Sequence, residues 1–217
     1  MIGNHSSQIP QGEPPLAFAR GLAKVHAMHR AVCVYCASSG AIDRRYFEVA
    51  AELGELLARR GLALVYGGGN IGLMGAMAGA VHKHGGRVIG VIPRFMVDKE
   101  LAYRAADELI VVETMRERKA VMEERADAFV ALPGGWGTME EVLEVLTLKQ
   151  LQQHAKPVAF LNTDGFYDPL LAMFERLVEL RFKKPDHHGL YHVADHPHEL
   201  LDWLANHHPV PVPAKWL

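Results

Sequence analysis

Two glycine-rich segments are candidates for binding an anionic group. The first is Gly67-Gly-Gly-Asn-Ile-Gly72-Leu-Met-Gly75, which contains the pattern G-x-G-x-x-G, and the second is Leu132-Pro-Gly-Gly-Trp-Gly-Thr-Met-Glu-Glu141. Glycines let backbone N–H groups approach a ligand closely, and the N-terminus of a following helix attracts negative charge. Two such segments in one small protein predict a site that holds two parts of one ligand.

The second segment also carries a candidate catalytic carboxylate, Glu141, three residues after Thr138. The spacing T-x-x-E is typical of a capping box, in which the glutamate side chain accepts a hydrogen bond from the backbone N–H of the threonine. On spacing alone this capping role is favoured. A glutamate above a phosphate-binding loop can equally serve as a general base or stabilise positive charge, so both interpretations stay open.

Between the two glycine segments, Arg116, Arg118 and Lys119 place three cations in the first turns of a predicted helix, where Thr114 and Glu117 fit a capping box. Cations at the positive end of a helix dipole are stabilised by an anion opposite them. We expect Arg118 to point inward, and for Arg116 and Lys119 simple solvation is an equally good interpretation.

These segments lie within an alternating α/β pattern. Continuously apolar runs of strand length are typical of a parallel sheet buried on both faces, and here they alternate with helical periodicity. We predict an α/β, doubly wound, mostly parallel sheet with helices on both faces. The predicted strands are Ala31–Cys36, Leu62–Tyr66, Arg87–Ile92, Glu108–Glu113, Ala128–Leu132, Pro157–Leu161 and one around Tyr191–Val193.

Helices are predicted from a cap at Asp43 through Arg60, over Thr138–Leu151, over Asp168–Phe182 and over Pro197–His207. On the helix after Glu141, the apolar residues Leu143, Leu146 and Leu148 are expected in the core rather than in an interface. Residues 1–30, rich in proline and small polar residues, are predicted to be a partly disordered N-terminal extension before a single domain over residues 31–217.

Composition restricts the partners. The chain has 217 residues with 23 Lys and Arg against 25 Asp and Glu, a formal charge of −2. This balance argues against a nucleic-acid binder, whose binding domain is typically strongly basic. The longest apolar stretch, Gly72 to Val81, is too short to cross a bilayer, and the first residues lack the apolar centre of a secretory signal. We therefore expect a cytoplasmic protein without nucleic-acid or membrane partners.

Metal or redox chemistry is not indicated. Cys33 and Cys36 lie three apart in one predicted strand, so their side chains point to opposite faces and a buried structural role is favoured. Histidines are frequent in the C-terminal region, but their spacing matches no known metal site, and we predict none. The seven are His187, His188, His192, His196, His198, His207 and His208.

An NADP-linked oxidoreductase is a minor alternative. The dinucleotide fingerprint belongs after the first strand, where this chain has Ala37-Ser-Ser-Gly40 instead, and it requires an acidic residue about 20 positions on. Arg94, which follows the third strand, could accept a 2′-phosphate.

Three motifs together carry a family resemblance. They are Gly67-Gly-Gly-x-x-Gly-Leu-Met-Gly75, Met115-x-x-Arg118-Lys119 and Pro133-Gly-Gly-x-Gly-Thr-x-x-Glu141. With these three motifs in this order along the chain, the sequence resembles the LOG family of cytokinin-activating phosphoribohydrolases, some of which carry the older label lysine decarboxylase. The resemblance extends from about Ala31 to Leu204. The resemblance implies a Rossmann-like homodimer that needs no cofactor. It would hydrolyse the N-glycosidic bond of N6-substituted adenosine 5′-monophosphates to a free base, cytokinin or adenine, and ribose 5-phosphate.

The same resemblance implies roles for individual residues. Arg118 and Glu141 match the catalytic arginine and glutamate. The implied substrate-binding set is Glu100, Lys119, Gly134, Gly135, Trp136, Gly137, Thr138, Met139, Glu140, Thr147, Gly68, Gly69 and Ser38. The family often has histidine where this chain has Arg116, and glycine where it has Ala37. A non-catalytic nucleotide or pterin-phosphate binding protein is the alternative function, because the same fold and loops can bind without turnover.

Overall fold

In the computed structural model, which describes residues 31–99 and 101–209, seven strands form one parallel sheet. The spatial order is β4-β3-β2-β1-β5-β6-β7, so the predicted doubly wound fold is confirmed. The predicted extension over residues 1–30 lies outside the described residues. The strands are β1 (Ala31–Tyr35), β2 (Ala63–Tyr66), β3 (Val88–Pro93), β4 (Glu108–Val112), β5 (Ala128–Ala131), β6 (Val158–Leu161) and β7 (His192–Ala194).

Helices connect the strands and cover both faces of the sheet. No helix in the described part of the chain is both long and apolar enough to span a bilayer. Short 3₁₀ turns occupy Thr163–Gly165 and Pro185–Leu190. The α-helices are α1 (Arg44–Arg59), α2 (Gly72–Lys83), α3 (Arg94–Val97), α4 (Met115–Arg125), α5 (Trp136–Gln150), α6 (Asp168–Glu179) and α7 (Pro197–Asn206).

The sheet separates two apolar cores. One core packs α1, α2 and α7 against one face, and the other packs α4, α5 and α6 against the opposite face. Cys33 belongs to the second core and Cys36 to the first, as expected for residues on opposite faces of a strand. Both are buried free thiols whose pKa is raised by burial, which fits a structural role.

The strand order reverses between β1 and β5. Parallel sheets bind ligands in the crevice beyond the carboxyl ends of the strands at such a point. The two loops that leave β1 and β5 meet there, because the N–H of Ala37 donates to the carbonyl of Pro133 at 3.3 Å. Ser38 and the second glycine segment are therefore neighbours at the switch point of the sheet.

The helix boundaries correct one prediction. Helix α5 begins at Trp136 with Gly135 as its N-cap and no side-chain cap, so the capping-box interpretation of Thr138 and Glu141 is wrong. A cap must precede the first turn, and Thr138 lies inside it. The capping box of Thr114 and Glu117 at the start of α4 is confirmed, as is the cap of α1 by Asp43.

Candidate active site

Arg118 and Glu141 form a buried ion pair between α4 and α5. Nη1 of Arg118 donates to Oε1 of Glu141 at 2.9 Å, and Nε donates to the carbonyl of Val91 on β3 at 3.1 Å. The two side chains are only 9% and 8% exposed. Arg118 therefore points inward as expected, whereas Arg116 is exposed. The guanidinium is held at two points, which fixes the direction of the Glu141 carboxylate.

Burial dominates the electrostatics of Glu141. Loss of water around the carboxylate raises its pKa above the usual value of 4.5, and the nearby Arg118 guanidinium opposes this shift. Glu140 raises the pKa further and Lys119 lowers it. A carboxylate with a raised pKa accepts a proton more readily than an exposed one, and in a site of low dielectric its charge acts strongly on a neighbouring cation.

The first glycine segment makes room for this pair. A Cβ atom on Gly67 would lie 1.8 Å from Nη2 and 3.0 Å from Cζ of Arg118. Gly72 has a positive φ of 62°, and a Cβ there would lie 2.5 Å from the backbone carbonyl carbon of Ser38. These two glycines thus allow close packing against Arg118 and the β1 loop. The expectation that this segment binds an anion stays a prediction.

Lys119 lies between two carboxylates of α5. Its ammonium group pairs with Glu140, and with Oε2 of Glu144 at 2.8 Å. Partial burial lowers the pKa of Lys119, but the two carboxylates prevail and hold it above its usual value. Sequence reasoning missed Glu144, although its position four residues after Glu140 puts both on one face of the helix. Lys119 therefore orients Glu140.

The second glycine segment forms the first turn of α5. The first backbone N–H groups of a helix have no partner within it. A Cβ atom added at Gly135 or at Gly137 would meet no heavy atom within 4 Å, whereas Thr138 is buried against Gly134. Trp136 is 93% exposed, and Met139 beside it is half-buried.

Not every predicted residue joins this group. Thr147 lies six residues beyond Glu141 on α5, about 9 Å along the helix axis, and its hydroxyl donates to the carbonyl of Leu143. Glu100 lies outside the described residues. Its neighbours Leu101 and Ala102 run beside Gly69, one of the predicted binding glycines, with Gly69 and Ala102 forming an antiparallel bridge.

A cavity of about 730 Å³ lies elsewhere, at the carboxyl ends of β6 and β7 beside the start of α1. Neither Arg118 nor Glu141 lines it. Its carboxylates outnumber its single arginine, Arg45, which already pairs with Asp164. A negatively charged lining disfavours a phosphate, so we keep the candidate active site at the switch point. The carboxylates are Glu48, Glu52, Asp164, Asp168 and Asp195.

Potential metal ligands and lysine ammonium groups complete the description of the site. Among residues 31–99, 101–185 and 189–209, no group of three His, Cys, Asp or Glu side chains could hold a metal ion. The ammonium groups of Lys149 and Lys156 donate to the carbonyls of Leu190 and Glu123, and Lys119 is paired as described above. Each of these three lysines therefore has a hydrogen-bond or ion-pair partner.

The sequence matches a known family. The family model described as "Possible lysine decarboxylase" matches residues 74–204. A cytokinin riboside 5′-monophosphate phosphoribohydrolase of Arabidopsis thaliana is 45% identical over 186 residues, covering 86% of this chain and 82% of the relative. The chain belongs to the LOG family. A LOG-family relative of the same name from Oryza sativa subsp. japonica is 47% identical over 180 residues, covering 83% of this chain and 74% of the relative.

Solved structures share the fold of this LOG-family chain. The molybdenum cofactor carrier protein from Chlamydomonas reinhardtii matches with a TM-score of 0.63 and 25% identity, covering 81% of this chain and 96% of the carrier. The molybdenum cofactor binding protein from Rippkaea orientalis has a TM-score of 0.64 and 23% identity, covering 83% and 98% of the two chains. Relatives named as phosphoribohydrolases and solved structures named as molybdenum cofactor binding or carrier proteins are thus both similar to this chain.

Proposed function

We propose that this chain is a hydrolase that cleaves the N-glycosidic bond of N6-substituted adenosine 5′-monophosphates. The products are the free base, a cytokinin or adenine, and ribose 5-phosphate. The observation that carries the proposal is the buried Arg118–Glu141 pair beside the first turn of α5. The names of the LOG-family relatives support the same reaction.

The reaction needs a negative charge near the sugar. As the base leaves, positive charge grows on the ribose in an oxocarbenium-like state, and carboxylates flanking such a centre stabilise it. Glu141 supplies that charge from a buried position, where it is little screened by water. Its raised pKa also suits it to orient and deprotonate the attacking water.

Arg118 fixes the Glu141 carboxylate through the bond to Oε1, and its own anchor on the Val91 carbonyl ties both to the sheet. A nucleophilic water and a ribose held against this pair would have few orientations available, which lowers the entropic barrier to attack. Arg118 and Glu141 are therefore our catalytic residues.

The 5′-phosphate would bind the N–H groups at the start of α5, from Gly134 to Thr138. Helix N-termini bind phosphates through unpaired N–H groups and the helix dipole. Binding energy from this non-reacting group can hold the ribose in position for reaction. The nucleoside without phosphate is then a far poorer substrate than AMP or its N6-substituted analogue.

The remaining predicted contacts complete the substrate site in this proposal. Lys119 and Glu140 would act together from α4 and α5, and Ser38 would approach from the β1 loop. Trp136 and Met139 would offer apolar surface beside the phosphate site at the start of α5. Gly68 and Gly69 would contact the substrate from the first glycine segment. Glu100 and Thr147 keep the substrate-binding roles that the resemblance implies.

We infer that the active form is a homodimer in the cytoplasm. The resemblance to the LOG family supports the dimer. Leu143 on α5 and Met115 on α4 are exposed apolar side chains that a partner subunit could cover. Of the leucines predicted in the core, Leu146 is buried and Leu148 half-buried, but Leu143 is 38% exposed. Light scattering of the purified chain measures the mass, and a monomer at catalytic concentrations would contradict the inference.

The decisive experiment incubates the protein with AMP and with N6-isopentenyl-AMP and measures ribose 5-phosphate. We expect release by the wild type and by the matched surface variant Glu124→Gln, with a loss of at least about 100-fold in Glu141→Gln. Release from neither substrate would overturn the hydrolase. Equal release by Glu141→Gln and the wild type would overturn only the role of Glu141.

A non-catalytic carrier is the second candidate, favoured by the fold shared with the molybdenum cofactor carrier protein. The same assay separates the two functions. A carrier binds a phosphorylated ligand stoichiometrically and releases no ribose 5-phosphate at any concentration of AMP.

A further inference from the structure

A hydrogen-bonded chain of three side chains lies at the end of α2, away from the Arg118–Glu141 pair. Nδ1 of His82 is 2.9 Å from the hydroxyl of Tyr103, and Nε2 is 3.0 Å from Oδ2 of Asp107. Oδ2 of Asp107 also accepts the N–H of Val88 at 2.8 Å. We call His82, Tyr103 and Asp107 the His82 clamp.

The clamp has a defined direction of donation. An ionised carboxylate only accepts hydrogen bonds, so Nε2 of a neutral His82 donates to Asp107 and Nδ1 is left to accept from the Tyr103 hydroxyl. The Val88 N–H and His82 both hold the pKa of Asp107 below its usual range, which keeps it ionised. Both ring nitrogens of His82 are thus occupied by partners from the segment that precedes β4.

That segment is also paired with the first glycine segment. The N–H of Tyr103 donates to the carbonyl of Gly68 at 2.8 Å, and the N–H of Asn70 donates to the carbonyl of Leu101 at 2.8 Å. Gly69 and Ala102 form the antiparallel bridge between these bonds. The segment from Leu101 to Asp107 is therefore hydrogen-bonded to the first glycine segment at one end and to α2 and β3 at the other.

We propose that His82 and Tyr103 are positioning residues for substrate binding. By holding the segment from Leu101 to Asp107, they keep Gly68 and Gly69 in place and fix the chain directly after Glu100, the predicted substrate-binding acid. This inference rests on the proposed function. The clamp contacts no reacting atom. It acts by raising the fraction of molecules whose loops are ordered for nucleotide binding.

The energetic consequence falls on binding rather than on chemistry. If the clamp is released, only part of the protein has an ordered site, and the apparent affinity falls by that fraction. An effect on ground-state and transition-state binding alike raises KM and leaves kcat unchanged. One lost hydrogen bond changes the equilibrium between ordered and disordered loops about five-fold, so KM rises by up to about five-fold.

The test uses Tyr103→Phe, which removes the hydroxyl but keeps the aromatic ring in the first core and the backbone N–H that binds Gly68. Tyr46→Phe on α1 is the matched control, because it removes a hydroxyl from another half-buried tyrosine of the same core. His82→Ala and the double variant complete a cycle. We measure kcat and KM for N6-isopentenyl-AMP, the melting temperature, and amide hydrogen exchange at Asn70, Tyr103 and Leu64.

We expect KM to rise measurably, by up to about five-fold, in Tyr103→Phe, with kcat within about two-fold of the wild type, and no change in Tyr46→Phe. Exchange should accelerate at Asn70 and Tyr103 but not at Leu64, which bonds to Arg87 in the sheet. The double variant should be no worse than His82→Ala, since both changes break one chain of contacts.

Unchanged KM in Tyr103→Phe and in His82→Ala overturns the proposal, and so does a lower melting temperature without faster exchange at Asn70. If the wild type releases no ribose 5-phosphate, the proposed function fails. Exchange at Asn70 and Tyr103 then decides the clamp by itself, and unchanged exchange overturns it.

Discussion

We expect the surroundings of the Glu141 carboxyl to set the pH range of the proposed hydrolysis. Burial raises its pKa above 4.5, and Arg118 opposes that shift more strongly than Lys119 does. In the proposed mechanism an ionised Glu141 stabilises the cationic ribose, so we expect activity to be lost as the pH falls through this raised pKa. Two substitutions therefore move the acidic limb of the pH profile by different amounts.

We expect kcat/KM of the wild type to decline toward low pH with a midpoint above 4.5. Removing a cation that favours the ionised form shifts the midpoint upward, further for Arg118→Met than for Lys119→Met. Carboxyl NMR of Glu141 in the three proteins checks this even where turnover is slow. A larger shift in Lys119→Met than in Arg118→Met would contradict the order of the two cations.

Gly67 provides a second test at the scale of one residue. Gly67→Ala would displace the Arg118 guanidinium from its bond to Glu141, because the new Cβ would lie 1.8 Å from Nη2. A displacement of this size at a catalytic group reduces kcat/KM by about 100-fold. The matched control is Gly79→Ala on α2, where no heavy atom lies within 4 Å of the new Cβ. Equal activity of both variants would show that Arg118 needs no space at Gly67.

At the scale of elements, helix α5 connects the candidate active site at its N-terminus with the second apolar core around Leu190 at its C-terminus. Its first two turns carry Gly137 and Glu141, and its last turn carries the buried Lys149, whose Nζ donates to the carbonyl of Leu190 at 2.9 Å. Burial lowers the pKa of Lys149 to about 8. At neutral pH the charged ammonium group is therefore buried in the core, where the loss of hydration disfavours its charge.

This arrangement predicts a pH-dependent stability. Between pH 8 and about 10.5, the folded chain has released the Lys149 proton while the unfolded chain still binds it, so the free energy of unfolding rises with pH. Relative to Lys149→Met, wild-type stability should improve by about 2 kcal/mol between pH 7 and 10. Urea unfolding at both pH values measures this, with the exposed Lys83→Met as control. A constant difference between the wild type and Lys149→Met would contradict the prediction.

At the scale of the whole molecule, a formal charge of −2 is compatible with the proposed phosphate site at the start of α5. The reason is that a helix N-terminus binds a phosphate through fixed N–H groups and needs no excess of lysine and arginine over the whole surface. The net charge therefore restricts the size of an anionic partner rather than its sign. We therefore expect the anionic partner to be one small phosphate ester rather than a polyanion.

Ligand-dependent stability tests this. At about 100 times its Kd, AMP should raise the melting temperature of Glu141→Gln by roughly 5 to 10 °C, because a ligand that binds only the folded state stabilises it. The variant prevents turnover during the scan. Adenosine and NADP at the same concentration should give much smaller shifts. A larger shift with NADP would favour the dinucleotide interpretation of the first glycine segment.

Much of the fold could be predicted from the sequence. The strands buried on both faces are continuously apolar, and each predicted run overlaps the observed strand with ends that differ by one residue in most cases. The four-residue helix α3 was not predicted, because Arg94–Val97 is too short to show helical periodicity. Helix α5 starts two residues before its predicted start, because a glycine N-cap leaves no side-chain signal.

The sequence by itself determined the alternating architecture, the two glycine segments and the identity of the charged residues, because each of these is a local property of the chain. Tertiary structure alone decided the partner of Glu141. The local spacing favoured a capping box with Thr138, but burial makes a lone carboxylate unstable without a cation. That cation, Arg118, lies 23 residues earlier in the chain, and the sheet brings the two together through the space left at Gly67.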